Sequence, residues 1–245
     1  MSGMKRRWAV ALAALATVAL TAGLAAWQLH RAAQKEALHS SFEARSALAP
    51  LAPAALARDA EGLAAQQHRR IALSGRWLPE RTIYLDNRQM NGRVGFIVLT
   101  PLELASGDAV MVQRGFAPRD FRDRQKLPAA PLPAAAASIL ATIASPPGKL
   151  YAFAAQESGP LRQNLDLAGY SREIGVALRP LSLLQAQEGA AQDGLLRDWP
   201  KPAAGIHKHY GYAFQWGALA ALTSGLYVWF QFLAPQRARR RDSRA

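Results

Sequence analysis

The sequence predicts a membrane protein in which two transmembrane α-helices, one near each end of the chain, flank one β-rich extramembrane domain. Residues 8–29 and residues 211–234 are apolar and contain no Asp, Glu, Lys or Arg. Each stretch can cross a hydrocarbon core of about 30 Å, which takes about 20 helical residues. Between them, short runs of β-forming residues alternate with turn signals, which indicates an α+β domain with an antiparallel, barrel-like sheet.

The predicted boundaries are a tail over 1–7, a first span over 8–29, the β-rich domain over 30–208, a second span over 209–234 and a basic tail over 235–245. The two tails hold 8 basic residues and 1 acidic residue. Basic residues next to span ends stay in the cytoplasm, whereas long loops are translocated largely regardless of charge. Both termini are therefore predicted to be cytoplasmic and the domain to lie on the other side of the membrane.

The first span has an alternative interpretation as a cleavable signal peptide, because small residues are frequent over residues 21–26. Its length and the lack of a clean cleavage region favour a permanent anchor. If it were cleaved, the second span would still tether the product.

The composition argues against several classes of protein. The formal net charge is +13, but the chain outside the tails holds 22 basic and 16 acidic residues, interspersed. The tail charge fits membrane topology and anionic lipid rather than nucleic acid. The chain has no Cys and 4 Met, so it offers no thiolate ligand or nucleophile and few soft donors for copper.

The interior begins with a helix that continues from the first span over residues 30–43, followed by an Ala/Pro-rich loop and short helix over residues 44–65. Four strands are predicted next as an antiparallel meander, at Arg69–Leu78, Thr82–Asp86, Val94–Leu99 and Ala109–Arg114. The last of these precedes a proline-rich break over residues 128–133. Further strands are predicted at Ser138–Ile143, Lys149–Phe153 and Gly175–Leu184, with a helical turn or two over Leu165–Glu173.

No catalytic signature is present: the sequence contains no G-x-S-x-G, H-E-x-x-H, G-x-G-x-x-G or phosphate-binding loop. Arg88 and Arg114 each lie near the end of a predicted strand. They could share a partner-binding rim of the domain, and exposed loops would explain them equally well.

The histidine pattern before the second span is more informative. His209 begins a helical stripe with Tyr212 and Trp216, which places an imidazole beside two aromatic rings at the edge of the bilayer. An imidazole can ligate haem iron, and rings suit a flat macrocycle. The alternative is an ordinary interfacial belt of aromatic residues.

A second stripe on the same helix consists of the small residues Gly217, Ala221 and Gly225, spaced every four residues. Small residues at this spacing allow close helix approach. We expect them to pack against the first span, unless the groove receives a helix of another membrane protein.

Several short motifs in a fixed order resemble the surfeit locus protein 1 family over nearly the whole chain. The motifs are Trp27-Gln28, Gly75-Arg76-Trp77, the segment 84–88, the segment 92–95, the segment 100–102, the segment 114–118, the segment 162–166 and the segment 209–216. One departure is Phe116, where the family has Trp, so a hydrogen bond from an indole is lost there.

The resemblance implies assistance in the assembly of haem–copper cytochrome oxidases, with no enzyme activity of its own. It implies haem a as a transient cofactor, with His209 as a ligand to the iron and Tyr212 and Trp216 packing the ring. The implied partners are the largest oxidase subunit, the haem a synthesis machinery and membrane lipid. Two alternatives stay open: a haem-free scaffold that holds the oxidase through Arg88 and Arg114, and a membrane-anchored periplasmic protein of another class.

Overall fold

The computed structural model describes residues 3–120, 123, 127–132, 137–150, 158–188, 193–200 and 205–237. The chain divides into two units, one formed by residues 42–200 and the other by residues 1–41 together with 201–245. The first unit contains the β-rich part of the chain, and the second contains the two apolar stretches.

The helices and strands of the described residues follow the order that the sequence predicts in outline. In chain order they are α1 (Gly3–Ala47), α2 (Ala60–Gln66), β1 (Arg70–Trp77), β2 (Ile83–Met90), β3 (Arg93–Glu103), β4 (Ala109–Pro118), β5 (Ala137–Ala144), β6 (Leu161–Arg162), α3 (Leu167–Ile174), β7 (Leu178–Gln185) and α4 (Ile206–Val228). A π-helical segment, Trp229–Leu233, continues α4. The predicted strand over Lys149–Phe153 is not a strand at residues 149–150, and residues 151–153 lie outside the described part.

Five strands close into a barrel in the order β1–β5–β7–β4–β3, with β3 returning to β1. Closure depends on β3, which pairs with two strands along one edge. Its residues as far as Leu99 pair with β2, and the two residues after Pro101 pair with the end of β1. β2 lies outside the ring and carries β6 on its other edge. The predicted architecture of two apolar helices flanking a β-rich, barrel-like domain is confirmed.

The pairing differs from the predicted meander in two respects. β2, β3 and β4 are antiparallel neighbours as predicted, but β1 pairs with β5 instead of β2. The pairs β4–β7 and β2–β6 are parallel. Local turn signals predict hairpins, whereas these partners are distant in sequence, and a periodic pattern carries no information about distant partners.

The strand predicted over Val94–Leu99 runs on to Glu103, through Thr100 and Pro101. Pro101 lies where that edge of β3 passes from β2 to β1, so no neighbouring strand requires the N–H that proline lacks. Its carbonyl oxygen still accepts a hydrogen bond from the Leu78 N–H at 3.1 Å.

The strand β4 is buried on both faces, because it contributes to two hydrophobic clusters. Val110 and Val112 belong to the cluster inside the barrel, whereas Met111 belongs to a cluster on the opposite face. That second cluster is covered by α3 through Tyr170 and Ile174. The alternation follows from the two-residue period of a strand.

A buried group of ions ties the middle of β4 to the segment before α4. The side chains of Arg114 and Asp193 are each 2% exposed, and their closest N–O distance is 2.9 Å. Arg197 donates to the same carboxylate at 2.6 Å, and Arg114 also donates to two carbonyl groups of residues 130–131. Burial alone would raise the pKa of Asp193, but hydrogen bonds from Arg197 and from the Leu195 N–H outweigh it and lower that pKa.

The helix unit contains two helices that are long and apolar enough to cross a membrane, α1 and the continuous helix Ile206–Arg237 that begins with α4. They contact each other in antiparallel fashion. Gln28 of α1 bonds the start of α4, and Met4 and Trp8 line a cavity with Tyr227 and Phe232 at the other end. Few residues of the two apolar stretches are buried inside the protein, so most of these side chains face outward.

We predict that Asp193→Asn destabilises the barrel unit by about 3 kcal/mol, because it leaves two buried guanidinium groups without a counter-charge. The measurement is guanidinium unfolding of the full chain in detergent micelles, followed by tryptophan fluorescence. The control is Arg76→Gln, which removes an exposed ion pair with Glu103 and should cost less than about 1 kcal/mol. Equal losses in the two variants would show that the buried carboxylate has no special role.

Candidate functional site

His209 lies in the first turn of α4, four residues after Gly205. Gly205 has a φ of 90°, so the chain enters the helix through a left-handed position that glycine tolerates best. The His209 side chain is half-buried, and its Nδ1 lies 2.7 Å from Oε1 of Gln28. Gln28 is itself buried on α1, with 9% of its surface exposed.

This hydrogen bond favours one tautomer of a neutral His209 ring. An amide oxygen only accepts, so with Oε1 as the partner Nδ1 is the protonated nitrogen. Nε2 is then left with its lone pair, and it has no hydrogen-bond partner among the described residues. Ligating histidines in metalloproteins typically have this arrangement, in which the second ring nitrogen donates to a fixed acceptor.

A second hydrogen bond supports the same end of the helix pair. The Tyr210 hydroxyl donates to Oε1 of Glu36 at 2.9 Å. Ala32 lies on α1 between Gln28 and Glu36 and is completely buried. Its small side chain allows the two helices to approach closely at this level. The two polar contacts therefore fix the register of α1 against α4 around His209.

The two predicted aromatic neighbours of His209 have different surroundings. Trp216 is seven residues along α4 and half-buried, and at 100° per residue it lies about 20° from His209 around the helix. Tyr212 is turned by about 60° and is 52% exposed. Trp216 therefore shares the face of the imidazole, and Tyr212 borders it on the open side.

The small-residue stripe does not provide the contact between α1 and α4. A Cβ atom built at Gly217 or Gly225 would have no atom within 4 Å, and Ala221 is exposed. The side chains on the His209 face, including the buried Ala213, are the ones turned towards α1. The two polar pairs at the start of α4 thus select the face of α4 that meets α1. The spacing of small residues alone does not identify that face.

Neither arginine predicted to form a partner-binding rim is available on the surface. Arg114 is 2% exposed and belongs to the buried ion group described above. Arg88 is 9% exposed and donates to the carbonyl groups of Gly148 and Gln163, both at 2.7 Å. Their guanidinium groups hold loops of the barrel unit together, so the predicted surface role of these two residues is corrected to a structural one.

Gln28 is the member of the site that residue-by-residue interpretation missed. A signal for it does exist, because an amide within an apolar span is expensive unless it has a partner. Its partner is separated by 181 positions in the chain, so only the fold joins the two.

A single imidazole can suffice to hold haem iron, because the porphyrin itself supplies the other nitrogen ligands. Among the described residues no group of three or more His, Asp or Glu side chains could hold a bare metal ion. His209 with Gln28 behind it offers one oriented nitrogen donor that could hold a haem group.

The fold and this site define a class of protein: a β-barrel unit combined with a pair of apolar helices that presents one oriented imidazole. The sequence profile described as the SURF1 family matches residues 15–221 of the chain. The chain therefore belongs to the SURF1 family, which confirms the resemblance deduced from the motifs. The family is linked to cytochrome oxidase assembly and is an assembly-factor family rather than an enzyme family.

A curated relative is a SURF1-like protein from Monosiga brevicollis, which is 32% identical over 125 residues. The alignment covers 46% of this chain and 47% of that protein, so the chain spans about half the length of the curated relative it matches.

We predict that Gln28→Leu changes the tautomer of His209, because the acceptor that keeps the proton on Nδ1 is lost. The measurement is nitrogen NMR of the full chain in micelles with ¹⁵N-labelled histidine. Gln28→Glu retains an acceptor and should keep Nδ1 protonated, and exposed His207 should be unchanged in both variants. An unaltered His209 spectrum in Gln28→Leu would contradict the assignment.

Proposed function

We propose that this protein is a membrane-anchored assembly factor for haem–copper cytochrome c oxidase, which holds haem a at His209 and helps to deliver it to the largest oxidase subunit. The observation that carries the proposal is the hydrogen bond between Nδ1 of His209 and Gln28, which leaves Nε2 available as a ligand. Family membership supplies the general role in oxidase assembly.

The surroundings of His209 suit a cargo that is held and then released. The imidazole is half-buried rather than enclosed, and the neighbouring Tyr212 is 52% exposed. Trp216 offers an indole on the same face, and an aromatic ring next to a porphyrin adds apolar contact area. Gln28 fixes the orientation of the imidazole without enclosing the ligand.

The two apolar helices support anchoring in a membrane. They expose a continuous set of large apolar side chains, and such surface is stable in hydrocarbon but not in water. With Lys5, Arg6 and Arg7 before the first span and the arginines after the second, we assign both termini to the cytoplasm and the barrel unit to the periplasm of a bacterial inner membrane. His209 then lies near the periplasmic end of the helix pair.

The haem-free scaffold remains the second candidate, but not through the residues first predicted for it. Arg88 and Arg114 are buried and donate to the protein's own carbonyl and carboxylate groups. A scaffold would need exposed groups elsewhere on the barrel unit. The oriented imidazole gives the haem proposal a specific candidate ligand, whereas no surface group has been identified for a scaffold, which favours the haem proposal.

We predict that His209→Ala lowers the haem a that copurifies with the protein by at least about tenfold, since loss of a partner behind a ligand already costs about 10- to 100-fold in affinity. The measurement is the absorption spectrum of protein purified from cells that make haem a. His207→Ala is the matched control, because His207 is exposed on the same turn of α4 and should leave the pigment unchanged.

Full pigment in His209→Ala would eliminate the carrier proposal. If His209→Ala lost its pigment but still supported normal oxidase assembly, the haem-free scaffold would become the better description. Loss of pigment together with loss of oxidase activity, and neither loss in His207→Ala, is the expected result.

A further inference from the structure

We propose that the barrel unit contains a carboxylate-binding cleft beside β2, separate from His209. The cleft has a volume of about 400 Å³, and its lining is mainly polar. It is lined by Asp86, Asn87, Arg119, Leu161, Arg162 and Gln163. The family role does not account for these residues, and the site stands or fails independently of haem binding.

The cleft arises from a bulge in β2. Leu85 pairs with Ile97 and Arg88 with Gly95, so two residues of β2 oppose Phe96 alone. The second of these, Asn87, has a φ of 55°, in the left-handed region that few residues other than glycine adopt readily. Bulges redirect side chains and are frequent next to functional sites. Here the bulge places the Asp86 and Asn87 side chains on the cleft.

The other wall comes from a distant part of the chain. β6 runs parallel to β2, with Tyr84 opposite Leu161 and Leu85 opposite Arg162. This pairing brings the segment around Arg162 beside the bulge, although 75 residues separate them. Arg88 reinforces the junction by donating to the Gln163 carbonyl at 2.7 Å.

Both arginines of the cleft are held in place by buried aromatic rings. The Arg119 guanidinium lies 5.2 Å from the ring centre of Phe96 and forms an ion pair with Asp86. The Arg162 guanidinium lies 4.8 Å from the ring centre of Tyr170 and pairs with Glu173 at 2.5 Å. Stacking and pairing reduce the freedom of each guanidinium, so little conformational entropy is left to lose when a ligand binds.

The lining provides more hydrogen-bond donors than acceptors. A guanidinium has five N–H groups. Arg162 donates to the Gly159 carbonyl and to Glu173, and the Nε of Arg119 is buried with no acceptor among the described residues. The exposed amide of Asn87 adds two further donors. A ligand that fits this lining must bring oxygen acceptors.

The charge of the lining favours a carboxylate over a doubly charged phosphate. Of the described lining residues, Arg119 and Arg162 are cations and Asp86 is the single anion, and Glu173 pairs with Arg162 from outside the lining. The charges around the cleft therefore balance, so adding one negative charge costs less than adding two. Arg119 already binds the planar carboxylate of Asp86, so the cleft accommodates that geometry. The carboxylate could belong to an acidic side chain of a protein segment or to a small free acid.

The test is NMR titration of the full chain in micelles, observed at the arginine Nε–H signals, with sodium acetate and with acetyl-aspartate amide as probes. Sodium chloride at equal ionic strength provides the baseline, and inorganic phosphate is the competing anion. We expect saturable shifts at Arg119 and Arg162 with both probes. A stronger effect of the peptide mimic indicates a protein segment, and equal or weaker binding indicates a free acid.

Variants separate binding from fold maintenance. Arg119→Gln should weaken acetate binding by about tenfold, the usual loss for one charge-assisted contact. Arg76→Gln removes an equal charge from an exposed ion pair of the same unit and should have no effect. Asn87→Gly keeps the left-handed backbone, removes the amide and should weaken binding by a smaller factor.

The decisive variant is Asp86→Asn, which should tighten acetate binding several-fold, because the internal carboxylate that competes for Arg119 becomes neutral while the hydrogen bond to the Asn87 N–H can persist. A purely structural ion pair would not produce a gain. Unchanged or weaker binding in Asp86→Asn, equal losses in Arg119→Gln and Arg76→Gln, or tighter binding of phosphate than of acetate would each overturn the proposal.

Discussion

The double pairing of β3 is the constraint on which the barrel unit depends. One edge of this strand is paired with β4 along its length, while the other edge is shared between β2 and β1. The switch between partners closes the ring and leaves β2 outside it. Gly95 shows how tight the arrangement is, because a Cβ there would lie 2.2 Å from the Ala117 carbonyl oxygen. The strand excluded from the ring is also the one that bulges.

Arginine has two distinct uses in this unit, and the difference lies in whether the guanidinium lines a cleft. Arg88 and Arg114 are buried and donate to carbonyl and carboxylate groups of the chain itself, so they secure loops against the barrel. Arg119 and Arg162 are stacked on buried rings but line a cleft. A guanidinium can fill either role, because its planar fork both stacks and donates. The position of an arginine in the fold, rather than its residue type, decides whether it holds loops together or lines the cleft.

In the helix unit, a polar contact in apolar surroundings orients the candidate ligand. Water competes poorly where the neighbouring side chains are apolar, so one hydrogen bond between Gln28 and His209 has more influence than it would on an exposed surface. The same contact defines which face of α4 meets α1. Helix packing and the orientation of the imidazole are therefore two consequences of a single interaction.

The sequence by itself determined the two apolar helices, the β-rich character of the interior, the resemblance to the family and the prominence of His209. Those features depend on composition, on local periodicity or on contiguous motifs, all of which are readable along one chain. Only the tertiary structure decided that β1 pairs with β5, that Gln28 orients His209, that Arg88 and Arg114 are buried, and that the small residues of α4 remain open. Each of these depends on which distant segments meet, and pairing between distant segments is settled by the packing of the whole fold rather than by any local pattern.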